Sequence, residues 1–439
     1  LLATNKSGGR GYFGWRELAG SWRGVGFWVG VVGVRFVGWV CGDGGGLELD
    51  RAGQKHSTMG VGQKSVPSVF FSVADASADV HTAGVIRCLR SRLGEVRCVG
   101  LGGAKMAEAG CRLVQNPVDR SAMLGHALGQ VGYYFRLLGE VKRFFEASRP
   151  DLVVVVDSPA WNFHVAKAAR RRGIPVLYYI APQLWAWGAW RSAKLRRSAD
   201  RIACILPFEE GWFGERGISA TYVGHPLFEG ERQAGGDCWG GQAGGFPTVA
   251  LLPGSRSHEI KRLWPAMVQI SQRIVEAYPE ARFRCAAVSE KVARELREQV
   301  RGGLAIDVQC GAVAAVTRGA ALTVAASGTA TLEVAGAGCP MIILYHVPGW
   351  QWHLIGRWLI KTKHLSLVNI LAGRELVPEF MPLGSRTEEA GRVAVELLGD
   401  AGRREQIRRD LEELTAPLRR GQASARVTEM IVEMLGGHG

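Results

Sequence analysis

The run Leu152-Val-Val-Val-Val156 constrains this chain more than any other stretch. Continuous apolar, mostly β-branched residues imply a strand buried on both faces, and such strands belong to parallel sheets covered by helices on each side. The pattern recurs. Short β-branched runs alternate with helical periodicity, predicting strands at Val66–Val73, Val96–Leu101, Leu152–Asp157, Pro175–Ile180, Arg201–Leu206 and Ala220–Val223. A second series follows at Thr248–Leu252, Arg282–Ala287, Ala305–Gln309, Ala321–Ala326 and Met341–Tyr345. The expected class is α/β, with two Rossmann-like doubly wound parallel-sheet domains facing a cleft. Between the two series, Phe228–Phe246 is glycine-rich and aperiodic, so a linker is expected at 231–246. The tail from Arg386 to Leu435 reads as amphipathic helix broken at Pro417. The expected division is 1–58, 59–230, 231–246, 247–385 and a helical 386–439.

Composition removes other classes. Of 439 residues, 47% are hydrophobic and 21% charged, which excludes an extended disordered or fibrous chain. The formal charge of +14 permits anionic partners without choosing among them. Nucleic acid is not expected, because no helix-turn-helix, RNP or zinc pattern is present. The nine cysteines are scattered and form no CxxC pair, so reduced core thiols are expected, with neither a disulfide framework nor a metal site. No apolar window reaches the roughly 18–20 residues needed to span a bilayer. The nearest, Gly24–Val34, is flanked by Arg23 and Arg35.

Residues 1–58 differ from the rest, with 15 glycines, 4 tryptophans and no periodicity. The leading expectation is translated upstream sequence, with the functional protein beginning near Met59. A membrane-associating arm or a signal peptide without a clear cleavage site are the alternatives.

Two motifs carry chemistry. Leu251-Leu-Pro-Gly-Ser-Arg256 ends a strand and delivers Ser255 and Arg256 to a sheet edge, where a guanidinium clamps phosphate or simply faces solvent. Ser327-Gly328-Thr329 leads from a strand into a helix, a ready anion site or an ordinary N-cap. Glu333, one turn later, is placed to accept from ribose hydroxyls. Together the two motifs suit a nucleoside diphosphate.

The sequence resembles the lipid-A-disaccharide synthases. The resemblance rests on Val156-Asp-Ser-Pro-Ala-Trp-Asn-Phe163, Tyr179-Ile-Ala-Pro-Gln-Leu-Trp-Ala-Trp187, Leu206-Pro-Phe-Glu209 and Val223-Gly-His-Pro226. The two motifs above and Leu365-Ser-Leu-Val-Asn-Ile-Leu-Ala-Gly-Arg-Glu375 follow in the same order, covering Pro67 to the C-terminus. It implies a GT-B glycosyltransferase without cofactor or metal that joins UDP-2,3-diacylglucosamine to 2,3-diacylglucosamine 1-phosphate. The product is a β-1,6 disaccharide, formed with inversion and release of UDP. It further implies Asp157 as general base, or as a holder of acceptor hydroxyls, and Arg256 on the departing diphosphate. Ser255, Ser327, Gly328, Thr329, Glu333, Asn369 and Glu379 fall on the donor side, with Glu375 in the same region. A homodimer and peripheral association with the cytoplasmic face of the inner membrane are also implied.

One loop departs from the family pattern. Where the family has Gly-Glu-x-Ser-Gly-Asp, this chain reads Ala74-Asp-Ala-Ser-Ala-Asp79. Alanine is costly wherever the glycine had a positive φ, so acceptor binding at Ser77, Asp79 and His81 is open to change. That leaves a degenerate homologue which binds lipid or UDP-sugar without turnover as an alternative. Another GT-B enzyme using UDP-GlcNAc is the second alternative, and the Trp-Ala-Trp and Leu-Pro-Phe-Glu motifs disfavour it. Gly102-Gly103 fits either a family glycine turn or an ordinary βα turn. For the membrane, the expected contacts are part of the stripe Met123-Leu124, Leu128, Val131, Tyr134-Phe135, Leu138, Val141 and Phe144-Phe145, the rest of which reads as core. Arg136, Lys142 and Arg143 lie beside it, and Trp185, Trp187 and Trp190 with Arg191, Lys194, Arg196 and Arg197 form a second aromatic-basic cluster.

Overall fold

In the computed structural model the described strands pair into two sheets, and every pairing is parallel. The described residues are 66–118, 127–186, 188–229, 246–300, 303–311, 313–345, 364–419 and 422–436. The expected leader, the linker up to residue 245, Met123, Leu124 and Trp187 lie outside them. All described residues belong to one unit, 64–439.

The first sheet contains β1 (Ser68–Ser72), β2 (Arg97–Leu101), β3 (Arg112–Gln115), β4 (Leu152–Val156), β5 (Val176–Tyr179), β6 (Arg201–Cys204) and β7 (Ala220–Tyr222). Its order is β3-β2-β1-β4-β5-β6-β7. The second holds β8 (Thr248–Leu252), β9 (Arg282–Ala287), β10 (Ile306–Cys310), β11 (Leu322–Ala326), β12 (Met341–Leu344) and β13 (Glu379–Phe380). It runs β10-β9-β8-β11-β12-β13, the same winding. In each sheet the order reverses once, between β1 and β4 and between β8 and β11. Ligands of open α/β sheets bind outside the carboxyl ends of the strands at such a reversal.

Alternation explains why the strands are apolar throughout. Phe71, Val154 and Val156 face one core, while Phe70, Val153 and Val155 face another on the opposite side of the same sheet. The second side is covered by helices Ala127–Ser148 and Pro159–Arg170, with Phe145 edge-on to Phe70 at 4.9 Å. The first side is closed by the last helix, Ala423–Gly436, whose Val427, Met430 and Ile431 pack in the core with Ile86 and Leu89. The chain's final helix therefore lies on its first sheet.

Several expectations need correction. Strands β3 and β13 were not foreseen. The tail is three helices, Thr387–Gly399, Ala401–Arg419 and Ala423–Gly436, and Pro417 sits within the second rather than ending it. A proline in the last turn forfeits one backbone bond near a terminus where the helix is about to stop. Of the stripe residues on helix Ala127–Ser148, Val141 and Phe145 are buried in the core, Tyr134, Leu138 and Phe144 pack half-buried against it, and Phe135 is 73% exposed, while the side chains of Leu128 and Val131 lie outside the described ones. Among the described residues no helix is long and apolar enough to cross a membrane.

Candidate functional site

Left-handed backbone at non-glycine residues marks the site. Among the described residues only Arg149, Asp157, Ser158 and Ile180 combine a side chain with positive φ. Three of these four follow β4 or β5 at the carboxyl edge of the first sheet. Such conformations cost about 1–2 kcal/mol each and persist only where surroundings enforce them. At Asp157 and Ser158 they are enforced. Asn162, fully buried, donates its amide to the carbonyls of Val156 and Asp157 at 2.7 and 2.8 Å, and Tyr178 Oη adds a bond to Asp157 O at 2.9 Å. Asn162 is held in turn by Ser72 Oγ, which accepts from Trp161 Nε1.

This frame presents the Asp157 carboxyl to a cavity of about 430 Å³ lined also by Ser77, His81, His225, Arg256 and Thr329. Burial, assisted by the nearby Asp75 carboxylate and opposed by the Ser158 N–H, lifts Asp157 to about 6. Asp75 joins the two loops at the strand reversal. One oxygen caps helix Ala76–Leu93 by accepting from Ala78 N at 3.0 Å, and the other accepts from Ser158 Oγ at 2.9 Å. Neither Ala74 nor Ala78 has a positive φ, so the alanines of this loop bring no backbone strain.

His225 closes another side of the cavity. Its Nδ1 accepts from Leu227 N at 3.3 Å, which leaves the proton of the neutral ring on Nε2. Burial, with His81 nearby, pushes it down to about 4, so the ring stays neutral near pH 7. His81 is also shifted down by burial, against the pull of Asp75.

The second half supplies the cation. Gly254 turns the chain after β8 with φ +98°, a conformation that favours glycine. Two residues on, Arg256 precedes helix Ser257–Ala277, its side chain 72% exposed and paired with Glu259 at 2.8 Å. Ser327, Gly328 and Thr329 follow β11 and line an adjoining cavity of about 330 Å³ with Trp185, Leu365 and Ser366. Thr329 lines both cavities and makes no side-chain cap bond, unlike an ordinary N-cap.

Other expected residues stand behind the walls. Asp79 is buried and its carboxylate accepts from Gly103, Lys105 and Met106 N–H groups, capping the short helix Ala104–Glu108. A Cβ on Gly103 would come within 2.5 Å of Asp79 Oδ2, which accounts for that glycine. Asn369 is fully buried, bonded to Val377 O, Glu379 Oε1 and the N–H groups of Leu376 and Val377. Glu379 accepts from Leu365 N, Ser366 N and Ser366 Oγ. Both thus hold the 365–367 segment that lines the smaller cavity. Ser255 and Glu333 are in neither lining, and Glu375 is exposed. Among the described residues no three His, Cys, Asp or Glu side chains group to hold a metal ion.

Sequence reasoning did not single out Asp75, His225 or Glu209 as site residues. Asp75 carries a signal, an Asp immediately before a helical pattern. Glu209 and His225 carry only their places in the Leu-Pro-Phe-Glu and Val-Gly-His-Pro motifs, which name no role, and that of Glu209 depends on a partner 24 residues away.

The comparisons agree with this architecture. The family model described as Lipid-A-disaccharide synthetase matches residues 69–434. A lipid-A-disaccharide synthase of Anaeromyxobacter sp. (strain K) is 33% identical over 374 residues, covering 84% of this chain and 97% of the relative. That of Geobacter sulfurreducens is 33% identical over 380 residues with the same coverages. Among solved structures, the S. aureus MnaA–UDP co-structure aligns with a TM-score of 0.58 at 12% identity over 84% of this chain and 97% of that one. The glycotransferase of kitacinnamycin aligns at 0.56 and 15% identity, over 84% and 99%. These likenesses show the fold, two Rossmann-like domains in the GT-B arrangement. With the family model spanning both sheets, the chain belongs to the lipid-A-disaccharide synthase family and is a glycosyltransferase.

Proposed function

We propose that this glycosyltransferase transfers 2,3-diacylglucosamine from its UDP donor to 2,3-diacylglucosamine 1-phosphate. The product is the β-1,6 disaccharide, and UDP departs with inversion at the anomeric carbon. The observation that carries this reading is Asp157, a carboxyl lifted to about 6 on a strained strand end, lining one cavity with Arg256.

In this mechanism Asp157 takes the proton of the acceptor's 6-hydroxyl as its oxygen bonds to the donor's anomeric carbon. The bond from that carbon to the diphosphate oxygen breaks, and UDP leaves with the electron pair. A general base near the working pH contributes about 10²- to 10⁴-fold. Arg256 meets the charge developing on the diphosphate, and the Ser327–Thr329 turn supports the same group. His225, neutral and protonated on Nε2, donates to a sugar or phosphate oxygen in the same cavity. Asn369 and Glu379 act by holding the 365–367 segment. Peripheral membrane work is supported by Phe135 and Trp190, 73% and 83% exposed, beside Arg136, Arg191 and Lys194.

The test is incubation of the protein with both lipids. UDP release that requires donor and acceptor together is expected; tight UDP binding with no release in the presence of both would point to the degenerate homologue.

A further inference from the structure

Glu209 divides its carboxylate between two tasks. It is 1% exposed, at the turn after β6. Oε2 accepts from Ile205 N at 3.2 Å and Leu206 N at 3.1 Å, which satisfies the turn leading into helix Glu209–Gly214. Oε1 reaches back to accept from Trp185 Nε1 at 2.9 Å. The turn needs only the first oxygen. The second is used on an indole that belongs to the loop after β5.

That indole is oriented twice over. Its ring also meets Phe208 edge to face, with centroids 5.0 Å apart and planes at 82°. So fixed, Trp185 forms part of the wall of the smaller cavity, whose lining also includes the Ser327–Thr329 turn and Leu365–Leu367 of the second half. Glu209 itself lines the larger cavity with Asp157 and Arg256. Burying a carboxyl is costly, and burial lifts this one to about 7 against its three N–H donors. A fold that needed only a cap for the turn has cheaper solutions in a neutral side chain.

We infer that Glu209 is a positioning residue which aims Trp185 across the cleft as an aromatic wall for the nucleotide-linked sugar donor. The inference rests on the proposed reading of the second half as the donor side. An indole supplies a rigid apolar face at low entropic cost and packs against a sugar or base ring. Trp185 touches the donor; Glu209 acts through Trp185.

Binding of UDP-2,3-diacylglucosamine in detergent micelles, measured by calorimetry without acceptor, tests this independently of turnover. Trp185→Ala should weaken donor binding at least about tenfold, and Trp185→Phe and Glu209→Gln each about three- to tenfold. The double variant Trp185→Ala/Glu209→Gln should bind no worse than Trp185→Ala alone, because the pair acts as one unit. Acceptor KM should stay within about twofold in Trp185→Phe. Donor affinity in Trp185→Ala within twofold of wild type would overturn the inference, as would additive losses in the double variant. Should Glu209→Gln fail to fold, the Trp185 variants alone decide. Wild type that binds donor with this Trp185 dependence yet releases no UDP would leave the inference standing and overturn the proposed transfer. Wild type that binds no donor would overturn both.

Discussion

Asp157 carries two burdens, a left-handed backbone and a carboxyl that is hard to ionise. The second has a sign that can be worked out. Its ordinary value is 3.8 and the fold raises it to about 6, so the folded state holds the proton longer than the unfolded chain. The contribution of this group to stability therefore falls as pH rises from about 4 through 6 and stays low above. Asp157→Asn removes the penalty and should raise unfolding stability at pH 8 by about 1–3 kcal/mol, with little change at pH 4. Denaturant titration at the two pH values checks this. Activity runs the opposite way: the base works ionised, so wild-type kcat/KM should rise with pH through about 6. A cost of this kind at a strand end lining the cavity is what the proposed role as base would entail. Asp157 was legible in the sequence because an apolar strand ends on it. Of Asp75 only the helix cap was legible, and the role of Glu209 was not, since each has a partner that only the fold brings near, Ser158 and Trp185.

The elements themselves divide by burial. Strands β4 and β11 are buried along their whole length and read directly from their apolar runs. Strand β3, Arg-Leu-Val-Gln with both ends exposed, is a sheet edge whose composition resembles a loop. Strand β13 is two residues long, too short for any periodicity. The Ala74–Asp79 loop shows the converse, a sequence departure at which neither Ala74 nor Ala78 takes a positive φ, because a helix cap at Asp75 needs no glycine beside it. The glycine that matters is Gly254. Gly254→Ala should cost about 1–2 kcal/mol from its φ of +98° and the approach of Glu259 and Ala326. It should also displace Arg256, raising donor KM more than acceptor KM. Thermal unfolding and steady-state kinetics with each substrate varied in turn measure both effects.

At the scale of the whole molecule, the halves are tied by segments far apart in sequence. Glu229, where the first half ends, accepts from both the backbone N–H and the hydroxyl of Ser424, at the start of the helix that returns to the first sheet. Beside it, the Arg419 guanidinium lies 5.7 Å from the Phe228 ring, and Phe228 packs in the second core. We propose 59–230 and 247–385 as the two functional domains, with the last helix as a clasp on the first. Ser424→Ala should lower stability by about 1 kcal/mol, and Glu229→Ala by more, since two donors then lose one acceptor group. Chemical denaturation of the two variants checks the order. The helical periodicity of the tail was legible, while its return to the first sheet was not, because periodicity names a buried face without naming what covers it. The same holds for the cleft: each motif announced itself as a sheet edge, and only the matched winding of the two sheets puts Asp157 and Arg256 on one cavity. The most direct test is UDP release by Asp157→Asn with both lipids present, with donor binding measured in parallel. Donor binding near wild type with turnover reduced at least about a hundredfold is the expected result; near-normal turnover would contradict the assignment of Asp157 as the base.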